Sequence, residues 1–355
     1  MTADVVSVSV LVVDDSAFMR RAIQRMLEKD TTIRVVGTAA SGDEGIAMTE
    51  RLRPDVVTMD VEMPGMSGVD AARTIVERAG PPVIMVSALT RDGAETTLRA
   101  LEAGAVDFVP KPDSSLIDIV NVQRELIDKV KHFGSRRASL RRMRTVRGPA
   151  TRAPRPTARS APFACVAIGT STGGPIALTR ILPALPASFP LPIVVVQHMP
   201  PGFTRPLAER LDALCAIAVA EGEDGMPLQP GAAIVAPAGM QLRVRRTPGA
   251  ARVALAPDTA GSLHVPSVDV MVTSVAEAYE GGTLAVILTG MGADGVAGLR
   301  VAKQRGGYVL GQDEASSVVY GMPRAAAAAG LVDRVVALDG VADALRELTG
   351  GAPAR

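Results

Sequence analysis

The chain has 355 residues, 47% hydrophobic content and a formal net charge of +1, too long for one ordinary domain and apolar enough to bury a sizeable core. No stretch approaches the 18 or so uninterrupted apolar residues of a membrane span. With no Trp and 3% aromatic residues, there is little on which to stack single-stranded nucleic acid.

The opening residues Met1 to Asp4 are acidic and lead into a short apolar strand, unlike a secretory leader. From there, short apolar runs alternate with helix-like segments, the pattern of a parallel sheet covered by helices. Strands are predicted at Val6–Val13, Ile33–Ala39, Asp55–Met59, Pro82–Val86 and Asp107–Val109. Helices are predicted at Ala17–Lys29, Gly42–Arg51, Gly68–Arg78, Arg91–Ala103 and Ile117–Phe133. Residues 1–134 carry 15 Lys+Arg against 21 Asp+Glu, a balance of −6. Residues 135–160 carry nine Arg, no acid and Pro149, Pro154 and Pro156; this reads as an Arg/Pro-rich linker whose first turn continues the preceding helix. Residues 161–355 carry 14 basic and 16 acidic residues, −2 in all, and form the third segment.

That segment restarts with a strand at Phe163–Ile168, a glycine-rich turn and a helix at Ile176–Leu185. Further strands are predicted at Ile193–Gln197, Ala233–Ala236, Leu242–Arg245, Val253–Ala256, Thr283–Thr289 and Gly307–Leu310. Its two cysteines, Cys165 and Cys215, have apolar neighbours and no CxxC spacing, and read as buried, reduced core residues of a cytosolic protein. The fold class is α/β in both blocks.

In the first block, Asp14 and Asp15 follow Val10–Val13, Asp60 follows Val56–Met59, Ser87 follows Val83–Val86, and Lys111 follows Phe108–Pro110. Groups at the carboxyl ends of parallel strands converge on one crevice. Three carboxylates meeting there repel one another unless a cation neutralises them, and Mg²⁺ suits such a site because it accepts one or two carboxylates, waters and a phosphate oxygen. Taken singly, Asp15 or Ser16 is equally readable as a helix cap and Asp60 as a turn residue; five such residues in order at strand ends are not. At these positions the block resembles the receiver domain of two-component response regulators. The resemblance implies a flavodoxin-like five-stranded parallel sheet, phosphoryl transfer from a histidine kinase to Asp60, and Mg²⁺ held by Asp14, Asp15, Asp60 and the Glu62 carbonyl. It also implies a switch made of Ser87, Phe108 and Lys111.

In the second block, Gly169-Thr-Ser-Thr-Gly-Gly174 lies between a strand and a helix. Its G-x-S-x-G spacing fits a nucleophile elbow at Ser171 and equally a phosphate-cradling loop. A serine nucleophile needs a base, most often His. Of the three histidines, His132 falls in the last helix of the first block. His198 directly follows Ile193–Gln197 on the edge where Ser171 sits, whereas His264 follows the looser Ala260–Leu263, so position favours His198. Asp294, in the glycine-rich loop after Thr283–Thr289, is a candidate orienting carboxylate, with a turn or capping role as its plainer alternative. The order Ser171, His198, Asp294 differs from the Ser–acid–His order of α/β-hydrolases.

Gly169–Gly174, Gln197-His-Met-Pro200, Pro266-Ser-Val-Asp-Val270, Thr289–Gly295, Gln312–Ser316 and Tyr320-Gly-Met-Pro323 resemble the catalytic domain of chemotaxis protein-glutamate methylesterases/protein-glutamine glutaminases, the CheB family. Thr170 departs from the usual pattern, where Ala is common. The resemblance spans nearly the whole chain and implies a receiver over 1–134, a linker over 135–160 and a doubly wound esterase domain over 161–355. It implies Ser171 as nucleophile, His198 as base and Asp294 as orienting acid, with Thr172 and Met291 lining the site. No cofactor is expected in the catalytic domain. Implied partners are methyl-accepting chemoreceptors as substrate and a chemotaxis histidine kinase as phosphodonor, met in the cytoplasm at receptor arrays, with neither membrane insertion nor nucleic acid. Two other readings compete: a transcription factor using the Arg-rich segment, and a switched module with Gly169–Gly174 as a nucleotide loop. The first lacks a helix-turn-helix pattern, the second a Walker lysine and full G-x-G-x-x-G spacing.

Overall fold

The computed structural model describes residues 7–111, 116–142 and 162–350, and it divides into two compact units, Met1–Ala150 and Thr151–Arg355. The first unit alternates β1 (Val8–Val13), α1 (Ala17–Leu27), β2 (Ile33–Ala39), α2 (Gly42–Leu52), β3 (Val56–Asp60), α3 (Gly68–Glu77), β4 (Val83–Ser87), α4 (Arg91–Glu102), β5 (Asp107–Pro110) and α5 (Leu116–Arg142). All its strand pairs are parallel, in the order β2-β1-β3-β4-β5. Every residue of β3, β4 and β5 is buried. That burial produces continuous apolar runs rather than alternation.

Helices α1 to α4 begin at Ser16, Ser41, Ser67 and Thr90, whose hydroxyls accept first-turn N–H groups, as N-caps should. In this unit the expected and observed elements agree to within two residues at each end, save for Val6, which lies outside the described residues. Helix α5 is the exception: it runs through Arg142, more than two turns into the expected linker. Residues 135–142 (Ser-Arg-Arg-Ala-Ser-Leu-Arg-Arg) contain good helix formers and neither Gly nor Pro, so nothing in the chain stops the helix there. Residues 143–161, the rest of the expected linker, lie outside the described residues.

The second unit contains β6 (Cys165–Thr170), α6 (Gly174–Ile181), β7 (Ile193–Gln197), α7 (Thr204–Leu214), β8 (Ala218–Glu221), β9 (Ala232–Val235), β10 (Gln241–Thr247) and β11 (Ala250–Ala256). After these come α8 (Val268–Ala278), β12 (Thr283–Ile287), α9 (Val296–Gln304), β13 (Tyr308–Gln312), α10 (Met322–Ala328), β14 (Arg334–Val336) and α11 (Val341–Thr349). Seven strands form one parallel sheet in the order β14-β13-β12-β6-β7-β9-β8. The chain goes outward from β6 to β7 and on to the edge strand β8, steps back to β9 between them, returns to β12 beside β6, and winds the other way to β14. With right-handed crossovers this reversal places helices on both faces, and it opens a crevice where β6 lies between β7 and β12.

The antiparallel pair β10–β11 stands outside that sheet and packs on α8; its Leu242, Val244 and Val253 join the buried core of Val194, Val196, Met271, Val275 and Ile287. Both cysteines are free; Cys165 is fully buried, as expected, but Cys215 is only half-buried, at the end of α7. Burial pushes the Cys215 thiol up to about 11, with Asp212 adding to the shift.

Candidate active site and phosphorylation site

In the first unit, Asp14 directly follows β1, Asp60 ends β3, Ser87 ends β4 and Lys111 follows β5. Carboxylate oxygens of Asp14, Asp15 and Asp60 lie within 4.8 Å of one another. Lys111 Nζ is 2.8 Å from Asp60 Oδ2 and 3.5 Å from Asp14 Oδ2. The Ser16 N–H donates to Asp14 Oδ1 at 2.8 Å, and Arg20 donates to the Asp14 and Asp15 carbonyls. The capping role weighed for Ser16 and the cluster of carboxylates are therefore both present.

Burial, reinforced for Asp14 by Asp60, raises the pKa of both Asp14 and Asp60, with Lys111 only partly offsetting it. Burial depresses Lys111, but Asp60 and Asp14 outweigh it and hold the ammonium above its ordinary value. Asp14 Oδ2 is buried without a hydrogen-bond partner, an arrangement that fits an oxygen-seeking divalent cation. Gly68 closes the loop after β3, because a Cβ there would stand 1.7 Å from the Asp60 carbonyl oxygen. Ser87 is fully buried and faces α4: it accepts from Thr97 at 2.7 Å and donates to the Gly93 carbonyl at 3.2 Å. Phe108 is buried in β5, and the Lys129 ammonium sits 5.6 Å from its ring centroid. Glu62 donates its N–H to Asp60 Oδ1 at 3.4 Å.

In the second unit, Thr170 pairs with Gln197 in the β6–β7 register, and the His198 N–H extends that ladder to the Thr170 carbonyl at 3.1 Å. Ser171 and His198 are thus the next residues of adjacent strands. The turn carrying Ser171 is fixed from three sides. Its N–H reaches the Thr289 carbonyl at 3.0 Å, its carbonyl accepts from Gln197 Nε2 at 2.9 Å, and the Gly174 N–H closes on that carbonyl at 2.8 Å. Gly173 has φ +79°, and a Cβ on Gly174 would stand 1.9 Å from Gln197 Oε1, so both glycines are required. Thr170, where the sequence departs from its resemblance, is buried and donates to the Thr289 carbonyl at 3.0 Å. Thr289 in turn donates to the Thr172 carbonyl at 2.9 Å and takes Gln312 Oε1 on its N–H at 2.7 Å.

This wiring bears on the two readings of the glycine loop. At the start of α6 the Gly174 N–H is already bonded within the turn, and Pro175 has no N–H. Few donors remain to cradle a phosphate.

Asp294 lies beyond β12, and its carboxylate accepts four hydrogen bonds: His198 Nε2 at 2.8 Å, Val268 N–H at 2.7 Å, Ser267 Oγ at 2.9 Å and Asp269 N–H at 3.1 Å. It caps nothing of its own helix, since α9 begins at Gly295 without a side-chain cap. Instead it receives the N-terminus of α8, where the helix dipole favours negative charge. Burial pushes the Asp294 carboxyl up, but the bond and charge of His198 and the two backbone N–H groups outweigh it and hold it well below the usual carboxylate range. The neighbouring Asp269 moves the other way: burial raises it, Asp294 adds to that, and the Gly298 N–H partly offsets both. With Nε2 committed to Asp294, Nδ1 of His198 is buried without a hydrogen-bond partner.

Among the described residues, Thr172 is buried beside the turn, Met291 is half-buried, and Gly292 and Ala293 are exposed in the loop before Asp294. His264, passed over on position, stacks on His198 with ring centroids 4.1 Å apart and planes 11° from parallel. Ser267 and Gln241 also escaped the sequence reading as site residues. Gln241 donates to the His264 carbonyl at 3.2 Å and accepts from the Ser267 N–H at 2.9 Å. The Ser267-Val-Asp-Val270 segment carried the one available signal, an N-cap serine opening an apolar helix.

Family models match the chain in two places: CheB methylesterase over residues 166–345 and response regulator receiver domain over residues 10–121. A protein-glutamate methylesterase/protein-glutamine glutaminase 1 of Oleidesulfovibrio alaskensis is 47% identical, covering 95% of this chain and 98% of the relative. A protein-glutamate methylesterase/protein-glutamine glutaminase 2 of Nitratidesulfovibrio vulgaris has the same identity and coverage. The crystal structure of the Thermotoga maritima CheB methylesterase catalytic domain superposes with a TM-score of 0.52 at 42% identity, covering 53% of this chain and all of that one.

Proposed function

The chain belongs to the CheB methylesterase family, and on that premise we propose that it hydrolyses γ-methyl esters of glutamyl residues on methyl-accepting chemoreceptors, with Ser171 as nucleophile. The observation that carries the reading is the fixed pair His198–Asp294 at the β7 and β12 ends, with His198 Nδ1 left over beside the strand that delivers Ser171.

Ser171 Oγ attacks the ester carbonyl while His198 Nδ1 takes its proton. Asp294, kept ionised by its four donors, stabilises the imidazolium through Nε2. Backbone N–H groups near Thr172 and Met291 receive the oxyanion, each such donor being worth roughly 10²–10³ in rate. The C–O bond then breaks, methanol leaves with the proton from His198, and an acyl-enzyme remains. Water, deprotonated by His198, releases the glutamate and restores Ser171. The same steps on a glutamine side chain release ammonia, the glutaminase reaction. Either product adds one negative charge to the receptor.

Asp60 is the proposed acceptor of a phosphoryl group from a histidine kinase. Asp14, Asp15, Asp60 and the Glu62 carbonyl are the proposed ligands of Mg²⁺, which when bound neutralises phosphoryl charge. Lys111 offsets the remaining charge, and Ser87, turning from Thr97 and Gly93, donates its hydroxyl proton to one phosphoryl oxygen, with Phe108 following. In this reading the receiver restrains esterase activity and phosphorylation lifts the restraint. No helix among the described residues is long and apolar enough to cross a membrane, and the proposed meeting with substrate is at the receptors' cytoplasmic helices. The test is methanol release from methylated receptor membranes, with the phosphorylated protein fully active and a Ser171→Ala protein inactive; full activity in Ser171→Ala overturns the reading. Deleting residues 1–134 raises basal activity if the receiver is inhibitory.

A further inference from the structure

Asp294 fixes one atom of the His198 ring. A ring held through a single Nε2···Oδ2 bond of 2.8 Å can still swing about that contact, and such a swing carries Nδ1 away from its target. His264 covers one face of the ring, nearly parallel at 11° and 4.1 Å between centroids, which blocks the out-of-plane half of that motion. The His264 backbone is itself fixed. Its carbonyl accepts from Gln241 Nε2 at 3.2 Å, the next residue's carbonyl accepts from the Gly239 N–H at 3.1 Å, and Ser267, which holds Asp294, is bonded to the same Gln241. One buried glutamine therefore ties together the segment that positions both the base and its acid.

We infer that His264 is a positioning residue for the catalytic base: its flat face, and not its ring nitrogens, holds His198 Nδ1 in line for proton transfer. The inference rests on the Ser171–His198–Asp294 reading above. The surroundings suit the role. Burial, with the charge of His198 adding to it and Asp294 opposing, depresses His264 to about 4, so near neutrality the stack presents an uncharged face to the imidazolium that forms on His198. An aromatic face tolerates a cation, whereas a second imidazolium would repel it.

The test uses the full-length phosphorylated protein with His264→Ala, His264→Gln and His264→Phe. Two rates are read on each: methanol release from methylated receptor membranes, resolved into kcat and KM, and labelling of Ser171 by a serine-directed phosphonate. Loss of alignment predicts that Ala and Gln lower kcat and labelling by about 10- to 100-fold while KM stays within about twofold. Phe, with a ring but no nitrogens, should recover most of both rates. Labelling of the Ala or Gln protein at the wild-type rate overturns the inference, as does a Phe protein as slow as Gln. Should the Ala protein fail to fold, the Gln–Phe contrast decides. Failure of the underlying reading looks different: the wild-type protein is then not labelled at Ser171, whatever stands at position 264.

Discussion

The same side chain, aspartate at the carboxyl end of a parallel strand, is placed in opposite environments in the two units. Asp14 and Asp60 are buried together with one shared ammonium, and their carboxyl pKa values rise. Asp294 is also buried, yet accepts four hydrogen bonds, two from the N-terminus of α8, and its pKa falls. Burial alone therefore does not decide the state of a carboxylate; it is weighed against the donors and the charge turned toward the group. The receiver cluster is left short of positive charge, which suits it to a divalent cation. The esterase carboxylate is saturated, which makes it a fixed support for one imidazole.

The largest effects should come from the saturated site. Ser171→Ala removes the proposed nucleophile and should lower kcat for methanol release by up to about 10⁶-fold, the scale seen when a triad serine is lost. Asp294→Asn puts an amide where Val268 N–H, Asp269 N–H and His198 Nε2 all need an acceptor. It should cost about 10⁴ in kcat through the wrong tautomer and about 1–3 kcal/mol of stability through mismatched buried donors, measured by denaturant unfolding. Asp60→Asn strikes the other unit and should abolish phosphoryl uptake from a small-molecule phosphodonor. Its esterase rate should stay at the unphosphorylated level, since nothing in the Ser171 wiring passes through Asp60.

Both sites were legible in the sequence to the extent that they obey one rule: polar residues immediately after an apolar strand meet at the sheet edge. Asp14, Asp60, Lys111, Ser171 and His198 follow it. What sits around them was not legible, because it depends on contacts distant in sequence. Gln241 lies 26 residues from the Ser267 that it holds, and the N–H groups capturing Asp294 come from 25 and 26 residues before it. His264 read as loosely placed because it follows no strand, although its ring lies against that of His198. In the fold, the unforeseen strands are β8 and β14, edge strands of four and three residues that are only partly buried. They lack the continuous apolar run by which β6, β7 and β12 announce themselves. The expected end of α5 missed because composition marked the charged segment as linker, while the helix-breaking Gly148 and Pro149 come later.

The smallest predicted effect is the most direct check on the contrast between the two clusters. A carboxyl whose folded pKa is raised contributes stability below its unfolded value of about 3.9, and that contribution is lost as pH rises through the folded value. Asp14 and Asp60 therefore weigh against the folded receiver at neutral pH unless a cation joins them. Asp14→Asn should raise the receiver's thermal midpoint by a few degrees without Mg²⁺, because the amide carbonyl still accepts the Ser16 N–H while one buried charge disappears. In the wild-type protein Mg²⁺ at a hundredfold above its dissociation constant should add about 2.7 kcal/mol, and the variant should lose most of that gain. Asp294 has the opposite sign: its depressed pKa contributes stability above about 3.9 that fades as pH falls toward the folded value. Acid unfolding followed separately in the two units should thus show Asp294→Asn flattening the acid limb of the esterase unit, while Asp14→Asn reduces the loss of receiver stability between acid and neutral pH. If both substitutions shift their units in the same direction at neutral pH, the balance of burial against donors and charge is not what separates the two sites.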